Sequence, residues 1–249
     1  LLFLMVLLFG STSFLRADEV MIGDGTSTTY YAPFNSLWGY SFVEQVYLAD
    51  EIGMAGTINS ISFNMDETDD AFTSEFDIFM KNVERTQFAS GTDFESVTAG
   101  DMVYSGSITF QPGWTVITLD TPFEYDGESN LMVGVHEKTA GYSTRYFYYT
   151  ATTNGLISGH SDSVDPNPYD MSSYTGTTYT QSQRANIKID ITAGGGGGET
   201  VIVTIGDPTS TTTNANLPGY SLYDYAISQQ IYTADDLTML SSSSEWVWA

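Results

Sequence analysis

The chain is predicted to fold as an all-β, antiparallel β-sandwich, and three observations predict it. Short runs alternate apolar with polar residues, no long stretch repeats at helical period, and turn residues separate the runs. Period two with a single apolar face describes antiparallel sheets that must stack face to face to cover that face.

Taken in order, "SISFNM" (60–65) sets Ile61, Phe63 and Met65 on one side, and "FDIFMK" (76–81) does the same with Phe76, Ile78 and Met80. "GWTVITLD" (113–120) offers two faces, Trp114, Val116 and Thr118 or Thr115, Ile117 and Leu119. "NLMVGVHE" (130–137) gives Leu131, Val133 and Val135, and "NIKIDI" (186–191) points Ile187, Ile189 and Ile191 inward, with Lys188 and Asp190 to water. The punctuation agrees: Pro112–Gly113 suits the centre of a type II turn and Asp126–Gly127 a tight turn. "ADEIG" (49–53) and "TAGD" (98–101) read as short helical turns, too short to form a layer. "DETDDAFTSE" (66–75) reads as an acidic connection. The stretch 157–183, which has no sustained pattern and contains Pro166 and Pro168, reads as a long ordered loop.

The domain boundary comes from a repeat. "IGDGTSTT" (22–29) returns as "IGDPTSTT" (205–212), and after a two-residue insertion Pro33, Tyr40, Gln45, Tyr47 and Asp50 match Pro218, Tyr225, Gln230, Tyr232 and Asp235. The agreement ends after Asp236. The expected organisation is a first sandwich over 18–192, a glycine-rich flexible linker over 193–199, and the incomplete start of a second copy over 200–249, hence tandem copies of one domain. Residues 1–17, "LLFLMVLLFGSTSFLRA", read as the apolar region and end of a secretory signal whose basic start is missing. The expected location is therefore secreted or cell-surface, with no transmembrane span in the mature chain.

Charge and composition remove several functions. Lys and Arg number 7 against 31 Asp and Glu, a formal charge of −24, so no basic surface exists to neutralise nucleic-acid phosphates. Cysteine is absent, which removes disulfides and thiol chemistry. The two histidines, His136 and His160, belong to no nucleophile-elbow or zinc motif; His136 reads as a structurally hydrogen-bonded rim residue and His160 as a more exposed one.

The segments "YSFVEQVYLADEIG" (40–53), "GTINSISF" (56–63), "FDIFMK" (76–81) and "TPFEYDGESNLMVGV" (121–135) together resemble the cleaved-adhesin type of domain found in gingipain and haemagglutinin adhesins and related Bacteroidetes surface proteins. The resemblance covers most of 20–191. It implies a jelly-roll β-sandwich, export, tandem arrangement, bound calcium, and adhesion to host molecules; it brings no catalytic residue.

Candidate site residues follow from residue type and clustering. Hard oxygen donors gather at Asp66, Glu67, Asp69 and Asp70 and again at Asp162, Asp165, Asn167 and Asp170. Asp66, Asp69, Asp70, Asp162 and Asp165 are the expected calcium ligands, without EF-hand spacing. Aromatic residues crowd "TYYAPF" (29–34) and "RYFYYT" (145–150), and strand alternation turns Phe147 and Tyr149 to one side and Tyr146 and Tyr148 to the other. Tyr30, Trp38, Tyr146 and Tyr148 are thus the expected contacts for a host protein or glycan. The function expected is a noncatalytic extracellular adhesion or ligand-binding module. The alternatives are a structural spacer and a carbohydrate-active jelly roll using paired carboxylates.

Overall fold

A computed structural model of the chain describes residues 17–141 and 143–193. The expected signal up to residue 16, the glycine run and the second copy lie outside the described residues. The chain divides between Gly195 and Gly196 into two units, and every described residue belongs to the first.

The described residues form eleven strands: β1 (Ala17–Ile22), β2 (Ser27–Thr29), β3 (Tyr40–Tyr47), β4 (Gly56–Met65), β5 (Phe72–Val83), β6 (Met102–Phe110), β7 (Gly113–Tyr125), β8 (Asn130–Glu137), β9 (Phe147–Ser161), β10 (Thr177–Ala185) and β11 (Ile187–Ala193). All pairings are antiparallel. The order is β1-β11-β4-β9-β3-β8-β5-β6, with β7 also on β4 and β10 and β2 on β9. The β4–β9 link is a single pair, Met65 opposite Phe147. The sheet therefore folds there into two leaves, β1-β11-β4-β7 and β10-β9-β3-β8-β5-β6 with the short β2 also on β9, which stack as a sandwich.

The core lies between the leaves. One leaf contributes Ile58, Ile61, Phe63, Met65, Ile117, Leu119, Ile187, Ile189 and Ile191; the other contributes Val43, Tyr47, Phe76, Ile78, Met80, Leu131, Val133, Val135 and Leu156. Each fully buried aliphatic side chain is worth about 1.5–3 kcal/mol of transfer from water. In β7 the structure selects Ile117 and Leu119 as the inward face and leaves Val116 outward. Ile58 and Ile61 share a face despite their odd spacing because β4 carries a bulge between Ile58 and Ser60. The expected turn glycines have the left-handed φ such turns need, 85° at Gly113 and 77° at Gly127.

β3 and β8 are buried on both sides. Their outer face carries Phe42, Val46 and Met132, which join Phe79 and Val83 of β5 beneath Phe88 and Val97. Irregular chain, not a sheet, makes this cover: segment 84–101, and segment 162–176 through Met171. The two short helical turns appear as expected, α1 (Ala49–Ile52), stopped by left-handed Gly53, and a 3-10 turn at Ala99–Asp101.

Three expectations need correction. The stretch 157–183 is not one loop: β9 runs on to Ser161 and β10 begins at Thr177, so only 162–176 is irregular, with a 3-10 helix at Pro168–Ser173. β10 escaped notice because it is a polar edge strand of Thr, Tyr, Gln and Ser without apolar alternation. The acidic connection is shorter than 66–75, since β5 starts at Phe72. His160 is 2% exposed, because it faces inward from β9 opposite Ser41.

Candidate ligand-binding site

Segment 30–39, between β2 and β3, is fixed by one phenylalanine. Phe34 is fully buried, with its ring centroid 4.9 Å from Phe76, 5.4 Å from Phe147, 5.6 Å from Phe110 and 5.8 Å from Phe72. That anchor holds the neighbouring aromatic residues at the surface. Tyr30 lies 4.3 Å from Tyr31 and 6.1 Å from Tyr146, Tyr31 lies 5.7 Å from Tyr179, and His160 stands between Tyr179 at 4.9 Å and Trp38 at 4.7 Å. The result is an unbroken arc, Tyr146–Tyr30–Tyr31–Tyr179–His160–Trp38. Its tyrosine and tryptophan side chains are only partly buried, and Tyr146 is 39% exposed.

Polar contacts lock the arc. The Tyr30 hydroxyl donates to the Tyr31 hydroxyl at 2.9 Å, and Asn35 Nδ2 donates to the Tyr179 hydroxyl at 2.5 Å. Ser36 Oγ donates to the Arg145 carbonyl at 2.8 Å and accepts from the Arg145 N–H at 2.9 Å, clamping the two loops together. The hydrogen bond from Tyr30 and then burial raise the Tyr31 phenol, and burial raises that of Tyr179, so both stay neutral hydroxyls. Burial pushes His160 down to about 4, leaving a neutral imidazole between two rings.

Of the expected aromatic contacts, Tyr30, Trp38 and Tyr146 come together. Tyr148 does not: it pairs with Thr28 on β2, and among the described residues no ring contact joins it to the arc. The alternation that grouped it with Tyr146 fails because β9 begins only at Phe147. Tyr179 and His160 were missed as partners. Tyr179 sits in the unrecognised β10, and His160 reaches the arc only through the pairing of β9 with β3 and β10.

Most of the carboxylates expected to bind calcium make hydrogen bonds of their own. Asp69 Oδ2 accepts the N–H of Tyr146 at 2.6 Å, and Asp162 Oδ1 accepts that of Gly39 at 3.1 Å, so these two carboxylates hold the loops of the arc. Asp66 Oδ1 accepts from the Thr68 N–H at 2.8 Å. Asp165 Oδ1 lies 2.7 Å from His136 Nε2, giving that histidine the structural partner expected of it, and Asp70 is exposed. Among the described residues no group of three or more His, Asp or Glu side chains is placed to hold a metal ion.

Two buried carboxyls have raised pKa values. Burial pushes Glu44 up to about 8 and Glu137 up to about 7. Glu44 accepts the Glu95 N–H at 2.8 Å, and Glu137 takes the hydroxyl of Ser74. On β3, Glu44 is opposite Gly134, while Glu137 is opposite Ser41, three residues away. An odd separation places the two carboxyls on opposite faces of the leaf, so this pair cannot flank one glycosidic bond.

In comparison with known proteins, the chain matches no family model and no curated sequence. Among the described residues no helix is long and apolar enough to cross a membrane.

Proposed function

We propose that the chain is a noncatalytic attachment module of an exported, tandem surface protein, and that it contacts its ligand through the tyrosine–tryptophan arc. The observation that carries this reading is the convergence of aromatic side chains from segment 30–38, Tyr146 and Tyr179 into one partly exposed row. Such rings present a large contact area at low conformational cost, and their hydroxyls and indole N–H orient a partner. Those ring planes suit the apolar face of a sugar or the side chains of a host protein. Tandem copies would raise the effective concentration of the site without new contacts.

The test is a glycan and host-protein binding array with the natural chain and with Tyr30→Ala and Tyr146→Ala. Each variant is expected to weaken the captured ligand by about tenfold or more, as central aromatic contacts do. An array without captured ligand would favour a spacer, and capture indifferent to both variants would move the site elsewhere. Calcium, which the family resemblance implies, enters as parallel arms with the ion and with a chelator.

A further inference from the structure

A second site is built where β9 leaves its ladder. Gln181 of β10 faces Leu156 and Gln183 faces Ala151, so four β9 residues, Thr152 to Gly155, bulge out opposite Ser182 alone. Asn154 takes the left-handed conformation at φ 45°, which asparagine tolerates better than most residues. Its carbonyl accepts the Phe88 N–H at 2.9 Å, tying the bulge to segment 84–101. Bulges of this kind re-aim side chains and are frequent beside functional sites.

Between bulge and segment lies a cavity of 290 Å³. Val46 and Leu48 form an apolar floor, while Thr86, Gln87 and Thr153 supply neutral donors and acceptors on its walls. Arg184 closes one side. It is 3% exposed and its charge is satisfied, with Nη1 and Nη2 donating to the two Glu51 carboxylate oxygens at 2.7 and 2.6 Å and Nη1 to the Val46 carbonyl at 2.9 Å. The Thr152 hydroxyl is buried in the wall with no hydrogen-bond partner.

We infer that this cavity binds one neutral hexose unit, such as the terminal residue of a glycan. The volume is at the lower limit of ligand pockets, about 300 Å³, which suits a single ring. A pyranose offers an apolar C–H face for Val46 and Leu48 and hydroxyls that both donate and accept for Thr86, Gln87 and Thr153. A cationic ligand finds no free carboxylate on the walls. An anionic one meets a guanidinium already neutralised by Glu51 and the field of a chain with charge −24. The site shares no residue with the aromatic arc, so the inference stands independently of the proposed attachment surface.

Ligand-observed NMR on the full chain tests it, with glucose, galactose, mannose and N-acetylglucosamine as neutral probes and glucuronate and glucosamine as charged ones. At least one neutral hexose should bind in the millimolar range expected of so small a ligand. Thr86→Trp, which plugs the exposed rim, should weaken it by about tenfold or more at unchanged melting temperature, while Tyr30→Ala should not alter it. Gln87→Ala, which removes an exposed polar side chain from the wall, should weaken the same sugar at unchanged melting temperature. The inference is overturned if no neutral hexose binds, if binding survives Thr86→Trp, or if a charged sugar binds more tightly.

Discussion

Two aromatic clusters meet at one loop and differ in every respect that matters. Phe34, Phe72, Phe76, Phe110 and Phe147 close on one another inside the sandwich, whereas Tyr30, Tyr31, Tyr146, Tyr179 and Trp38 line up at its surface. The inner rings have no polar atom to satisfy, so their burial leaves no hydrogen bond unmet. The outer rings each carry a hydroxyl or an N–H, which favours a position with one end apolar and the other wet. Segment 30–38 belongs to both, with Phe34 turned in and Tyr30, Tyr31 and Trp38 in the arc. The difference teaches that the inner cluster supplies cohesion and the outer one a surface.

Four substitutions sharpen or break that division. The largest effect is expected from Phe34→Ala, which should cost about 3–5 kcal/mol in denaturant unfolding and disorganise the arc it anchors. A loss below about 1 kcal/mol would mean that the inner cluster does not fix the loop.

Acid distinguishes the clusters next. The inner one holds no titratable group, but the arc holds buried His160. With its folded value lowered to about 4, the contribution of His160 to stability is complete above the ordinary value of 6.5 and is lost as pH falls through 4. His160 should therefore account for a loss on the order of 3 kcal/mol over that window, read as the difference between the natural chain and His160→Phe, because the raised Glu44 and Glu137 carboxyls gain stability over the same window in both. Identical pH profiles of melting temperature would contradict this assignment.

Smaller still are the carboxylates that hold the loops. Asp69→Asn should cost about 0.5–1.5 kcal/mol, since it weakens the charge-assisted acceptance of the Tyr146 N–H, and Asp162→Asn should do the same at Gly39. Thermal melts would measure both. A destabilisation several times larger, appearing only when calcium is supplied, would assign these carboxylates to a metal site as well.

Much of this architecture can be read from residue order. Ile187, Ile189 and Ile191 alternate cleanly, and all three are fully buried, because one face of β11 meets the opposite leaf and the other meets water. Period two fails where that condition fails. In "SFVEQVY" both faces are covered, so Glu44 and Gln45 are as buried as Phe42 and Val43, and no alternation remains to be seen. In β10 neither face is apolar enough to leave a signal. For the candidate site, residue type was legible and convergence was not. Tyr30, Trp38 and Tyr146 are legible as aromatic candidates, but their meeting depends on bonds between distant segments, Asn35 to Tyr179 and Asp69 to the Tyr146 N–H. The carboxylates that make such bonds look, in the sequence, like metal ligands.

The central claim, that the surface rings bind while the inner rings hold, is tested most directly by one paired measurement. Melting temperature and affinity for the array-selected ligand would be compared for Tyr146→Ala and Phe34→Leu. The account predicts that Tyr146→Ala loses about tenfold or more in affinity with a stability change under about 1 kcal/mol, and that Phe34→Leu lowers the melting temperature while retaining most of the affinity at temperatures where it is folded. Full affinity in Tyr146→Ala, alongside a collapse of binding in folded Phe34→Leu, would contradict it.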